Sequence, residues 1–185
     1  MRTILDEKQT AFFTNNGFIE LEIAHEFPQQ PERDQWRRDP KLQDFLVRKL
    51  GPFALILTGK TQLRLACDQF LSQETRPKKA SPLKELFCIQ GLALGIAITN
   101  QPMVPARRSP LGILPLPSKQ ENILFFRPDL ILDWPHVASD IYLALYALPS
   151  AVYIHNLKDP ATHGLKQFGY HFGDVLKNDT HPLIL

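Results

Sequence analysis

LFCIQGLALGIAIT (86–99), ILFFRPDLILDW (123–134) and DIYLALYAL (140–148) carry the strongest strand signals in the chain. They read as successive strands of one folded unit, and the fold class follows from them. In the first, Leu92, Leu94, Ile96 and Ile98 are bulky, while Gly91, Ala93, Gly95 and Ala97 are small. Side chains alternate along a strand, so one face is bulky and the other nearly bare. A bare face admits a close neighbour, and close packing of a facing layer is the expectation. A proline-bearing loop with Arg107 and Arg108 spans residues 100–111, and LGILPLP (111–117) reads as a further strand. Pro149 is expected to close DIYLALYAL.

Working toward the N-terminus, QLRLACDQF (62–70) alternates Leu63, Leu65 and Cys67 against Arg64 and Asp68. With FALILT (53–58) and a turn at Gly59 it predicts a hairpin. Gly59–Thr61 is no phosphate loop, because the glycine that motif requires upstream would fall at Ala54. KLQDFLVRKL (41–50) predicts a helix capped by Asp39, led by Pro40 and stopped by Gly51. Residues 27–38 are polar and proline-broken, a loop with a helical turn around Trp36. GFIELEI (17–23) is a half-buried strand with Ile19, Leu21 and Ile23 on one side. Before it, Asp6 caps a helix over EKQTAFFTNN (7–16), ended by Gly17.

Toward the C-terminus, the tail from Tyr153 holds four histidines and reads as an irregular wrap with one short helix, GLKQFG (164–169). Eight or more strands, few helices and no strand–helix alternation predict a mainly β fold with flanking helices. The expected form is a double-stranded β-helix of the jelly-roll, cupin-like type, with residues 1–185 as one domain.

Composition narrows the function classes. The chain has 185 residues, 44% hydrophobic and 22% charged, with a net charge of +2. Arg76, Lys78 and Lys79 form only a short basic cluster, so nucleic acid is disfavoured as a partner. No apolar run approaches the ~20 residues of a membrane span. The opening MRTILDEKQT has acids where a signal peptide is apolar, so a cytoplasmic location is expected. Cys67 and Cys88 are expected as buried free thiols.

Several stretches, in order, resemble the phytanoyl-CoA dioxygenase group of the iron(II)/2-oxoglutarate oxygenases. AFFTNNGFIELE (11–22) resembles that group's opening helix, glycine and first strand. LALGIAIT (92–99) resembles its central strand, and residues 111–134 the segment leading to its distal metal-binding histidine. GLKQFGYHFGDVLKND (164–179) resembles a C-terminal segment of some members. The chain as a whole is similar to short, divergent relatives from chlamydia-like bacteria. The resemblance implies a jelly roll whose iron is held by a histidine and a carboxylate two residues apart, plus a distant histidine. It also implies a later arginine for the co-substrate's far carboxylate.

The residues depart from each requirement. Two places after His25, His136, His155, His163, His171 and His181 stand Phe27, Ala138, Leu157, Leu165, Gly173 and Leu183, none a carboxylate. Asp133 stands where the distal histidine belongs. DIYLALYAL has no arginine, and Arg127 is the last in the chain. No nucleophile is singled out.

The expectation is therefore a non-catalytic relative that acts as a binding module for a small molecule or a protein. Gln90, Asp133, Trp134 and His136 are its pocket candidates. No cofactor and no catalytic residue are expected. Fe(II) and 2-oxoglutarate enter only under a first alternative, an atypical active dioxygenase with Asp133 and His136 as metal candidates. A second alternative is a nucleic-acid-binding regulatory protein using Arg76, Lys78, Lys79, Arg107 and Arg108.

Overall fold

A computed structural model describes residues 5–22, 32–99, 112–116, 122–136 and 140–185. Among them are eight strands: β1 (Phe18–Glu22), β2 (Leu63–Leu71), β3 (Ser81–Pro82), β4 (Ile89–Thr99), β5 (Asn122–Phe126), β6 (Ile131–Leu132), β7 (Ile141–Tyr153) and β8 (Leu183–Ile184). Six form an antiparallel sheet in the order β1-β5-β4-β7-β2-β8, and β3 and β6 form a second, two-stranded sheet. Each face of the large sheet has its own core. On the outer face, helices cover Leu94, Ile96, Ile98, Phe125, Tyr142 and Tyr146. On the inner face, the small sheet and the C-terminal wrap cover Ala97, Phe126, Leu143 and Leu145 with Leu83, Leu132, Trp134 and Leu165. This is the expected jelly roll with helices packed outside.

Local signals set the N-terminal third. Helix α1 (Glu7–Asn16) opens on a capping box between Asp6 and Gln9 and closes on Gly17 in the left-handed conformation. In β1, Ile19 and Leu21 are buried and Glu20 and Glu22 exposed, as the alternation predicts; Ile23 lies outside the described residues.

Three sequence expectations are corrected. FALILT is not a strand: α2 (Pro40–Asp44) passes through wide helical turns at Phe45–Leu50 into α3 (Gly51–Thr58). Pro52 lacks the N–H for a regular helical bond, and widening the preceding turns accommodates it. Gly51 serves packing instead of ending the helix, because a Cβ there would meet Ile184 Cγ2 at 2.7 Å. Gly59, at φ 64°, caps α3 instead of turning a hairpin. The second correction concerns Pro149, which does not end β7. The register of β4 against β7 shifts between Gln90 and Leu92, so no ladder partner is required of the missing N–H.

The third correction concerns alternation. Bulges reverse it inside two strands. In β4, Leu92 packs with the inner core and Leu94 with the outer. In β2, the register shifts between Leu65 and Cys67, so Leu65 faces outward to the helices and Cys67 inward.

The bare inner face of β4 is filled by close packing. A Cβ on Gly95 would lie 2.4 Å from Phe126 Cζ and 2.8 Å from Leu83 Cδ2. Both neighbours are fully buried. Gly95→Ala is therefore expected to destabilise the fold by about 1–3 kcal/mol through overpacking. The urea midpoint should fall with the slope unchanged.

Candidate functional site

β6 ends in the turn that carries three of the four pocket candidates. Asp133 is fixed by its backbone N–H, which donates to the Leu114 carbonyl at 2.9 Å. Trp134 is fully buried, and its Nε1 donates to the Ser81 carbonyl at 2.9 Å, tying the turn to β3. His136 is half exposed, and its Nδ1 lies 2.6 Å from Asp133 Oδ1 on a buried carboxylate. With that carboxylate oxygen accepting, Nδ1 is the donor. Gln90 does not join them. It is exposed at the start of β4, opposite Val152.

The donor set does not fit an iron centre. Among the described residues, no group of three or more His, Cys, Asp or Glu side chains comes together where a metal could be held. Asp133 and His136 offer two donors, already bonded to each other. His25 and residues 137–139 lie outside the described residues. The strand in which the resemblance would place the co-substrate's arginine is β7. Over its first half, β7 turns Ile141, Leu143, Leu145 and Ala147 inward, all fully buried and apolar.

An open cavity of about 590 Å³ lies beside the turn, between the ends of β2 and β7, the 72–80 connection and the start of the C-terminal wrap. Leu71, Phe87, Trp134 and Leu143 form its floor, and Lys78, Lys79, Glu85 and Lys158 stand on its rim. Asp133, His136 and Gln90 are not among its lining residues. Arg76, next in the connection, reaches the Pro135 carbonyl at 3.5 Å. Arg107 and Arg108 lie outside the described residues.

Both cysteines are free and buried. Burial pushes the Cys67 thiol well up, and burial together with Asp159 pushes Cys88 up to about 12. Neither is poised as a nucleophile. Of the histidines, His155, His163 and His171 are exposed, and His155 and His163 pack around Phe172. His181 is fully buried. Arg37 Nη2 lies 3.1 Å from its Nε2, and a guanidinium can only donate, so the imidazole's proton sits on Nδ1, facing Tyr170.

Sequence reading missed three buried charged sites. Asp68 has Oδ2 2.8 Å from the Tyr142 hydroxyl, while its Oδ1 has no hydrogen-bond partner. Burial pushes its carboxyl up to about 7 despite the Tyr142 hydroxyl. Asp159 accepts both Nη atoms of Arg33 and the backbone N–H groups of Cys88 and Ala161. Burial alone would raise it, but the guanidinium and these N–H groups hold it below the ordinary carboxylate range. Arg64 lies across β2 and reaches Pro149, Asn178 and the His181 carbonyl. An aspartate just past a bulge was the one available signal, and only the structure locates the bulge.

Solved structures share this architecture. SnoK, a non-heme alpha ketoglutarate dependent carbocyclase from nogalamycin biosynthesis, matches at TM-score 0.70 and 12% identity, covering 98% of this chain and 97% of its own. The fold is that of the non-heme alpha-ketoglutarate-dependent enzymes. SnoN, an epimerase from the same biosynthesis, shares this oxygenase fold at TM-score 0.66 and 13% identity, covering 96% of this chain and 97% of its own. CT296 from Chlamydia trachomatis matches at TM-score 0.52 and 18% identity, covering 80% of this chain and 97% of its own. At such identities the oxygenase fold is what is shared. No family model matches the sequence, and no curated protein matches it. Among the described residues, no helix is long and apolar enough to cross a membrane.

Proposed function

We propose that this chain is a non-catalytic relative of the Fe(II)/2-oxoglutarate oxygenases, on the phytanoyl-CoA dioxygenase-like side of that fold, acting as a binding module for a small molecule or protein. Residues 1–185 would act as one cytoplasmic domain. One observation carries the reading. Where an oxygenase needs three metal donors and a cation, the inner face of β7 presents Leu143 and Leu145, and among the described residues the neighbouring turn presents the Asp133–His136 pair alone. An apolar wall offers nothing to a carboxylate or to a metal-bound oxygen. The Asp133–His136 bond instead closes the turn after β6.

The test is an anaerobic Fe(II) titration with 2-oxoglutarate, followed by admission of oxygen and measurement of succinate. No stoichiometric iron binding and no succinate above the protein-free background is the expected result. One equivalent of iron with succinate formation would remove the non-catalytic reading in favour of the active dioxygenase.

A further inference from the structure

The cavity at the edge of the two sheets has the size of a small-molecule site, within the ~300–1,000 Å³ that such pockets occupy. Its two halves differ in chemistry. The floor is apolar and aromatic, made by Leu71, Phe87, Trp134 and Leu143. The rim is cationic once internal pairs are set aside. Lys158 is neutralised by Glu85 at 2.9 Å, and Asp159 by the Arg33 guanidinium at 2.8 Å. Lys78 donates to the Gln73 carbonyl at 2.7 Å, and among the described residues neither Lys78 nor Lys79 has an ion pair. Among these residues, two adjacent ammonium groups without a carboxylate partner thus line the cavity above its apolar floor.

We propose that this cavity binds an organic anion with an apolar body, an aryl or alkyl carboxylate. Its carboxylate is held by Lys78 and Lys79, and its body lies toward Leu71, Phe87, Trp134 and Leu143. The assignment rests on the binding-module reading and gives its ligand a chemical class. Opposite charge at the rim supplies orientation, and removal of apolar surface from water supplies affinity. A small polar dicarboxylate such as 2-oxoglutarate satisfies only the rim, and a neutral amide only the floor.

The experiment is calorimetric titration of the full chain with 1-naphthaleneacetate, 1-naphthaleneacetamide and 2-oxoglutarate at low ionic strength. Naphthaleneacetate should bind one to one, about tenfold or more tighter than either comparison compound. The double variant Lys78→Gln/Lys79→Gln should lose about tenfold in affinity for the acid and nothing for the amide. Both side chains are exposed, so the variant should retain the melting temperature of the parent. Equal affinity for acid and amide, an unaffected double variant, tighter binding of 2-oxoglutarate, or no binding of the acid would each overturn the proposal. Failure here is separable from failure of the binding-module reading. Succinate formation removes that reading whatever naphthaleneacetate does, and absence of both succinate and naphthaleneacetate binding removes this site alone.

Discussion

Asp68→Asn should stabilise the protein above neutral pH and make it newly sensitive to acid. Asp68 is fully buried, and burial lifts its carboxyl from 3.8 to about 7. The folded chain therefore keeps a proton that the unfolded chain releases. That contribution to stability is complete below about pH 4 and is lost as pH rises through 7. At most it amounts to roughly 4 kcal/mol, from about three pH units at ~1.4 kcal/mol each. His181 has the opposite sign. Burial, then the Arg37 and Arg64 guanidinium groups, push it from 6.5 down to about 3. Its contribution is present above pH 6.5 and is lost as pH falls toward 3. Between about pH 4 and 6.5 the two slopes oppose each other. Asparagine removes the rising-pH loss and leaves that of His181. Its amide also supplies a donor beside Asp34, whose Oδ1 is buried without a partner and whose N–H donates to the Asp68 carbonyl. Urea midpoints from pH 4 to 8 should therefore diverge, the variant gaining about 2–4 kcal/mol over its parent at pH 8. Parallel curves for parent and variant would sink the argument.

Asp68 also illustrates what the sequence could and could not reveal. Features set by a few neighbouring residues were legible: the Asp6 cap, the Gly17 stop, and the alternation of Ile19 and Leu21 against Glu20 and Glu22. Part of the bare face of β4 was legible too, because Phe126 and Leu83 pack where a Cβ on Gly95 would lie. Features set by distant partners were not. Both faces of β2 are covered, so no solvent face exists for Asp68, and a bulge that nothing in LRLACD marks turns it toward Tyr142. Gly51-Pro52 looks like a helix stop, yet Ile184, far along the chain, packs against that glycine and the helix continues. At the candidate site, the absence of a histidine with a carboxylate two places on was readable because it concerns residue identity. The cavity was not, because its floor comes from β2, the entry to β4, the turn after β6 and β7, and its rim from three separate segments. Of the four named pocket residues, Trp134 alone lines it.

The cavity's charge balance leads to the second large effect, which sits just behind its rim. Asp159→Ala should cost about 3–5 kcal/mol, the range for breaking a buried ion pair from one side. The carboxylate is almost wholly buried and accepts four donors: Arg33 Nη1 at 2.8 Å, Arg33 Nη2 at 3.2 Å, Cys88 N at 2.9 Å and Ala161 N at 2.9 Å. Alanine leaves a largely buried guanidinium and two backbone N–H groups without their carboxylate. Asn is no remedy, because one oxygen becomes a second donor facing donors. The site also joins three distant segments: the turn before Trp36, the entry to β4 and the C-terminal wrap. Its loss should loosen all three together. Arg33 Nε lies 3.2 Å from Cys67 Sγ, and Cys88 follows Phe87 on the cavity floor, so both thiols should become reactive toward an aromatic disulfide reagent well below the unfolding midpoint. The double variant Arg33→Met/Asp159→Leu should recover part of the loss, since it removes the orphaned charge along with its partner, with a coupling of about 1.5–3 kcal/mol. A single-variant loss below about 1 kcal/mol, or additivity in the cycle, would mean that the pair contributes position alone.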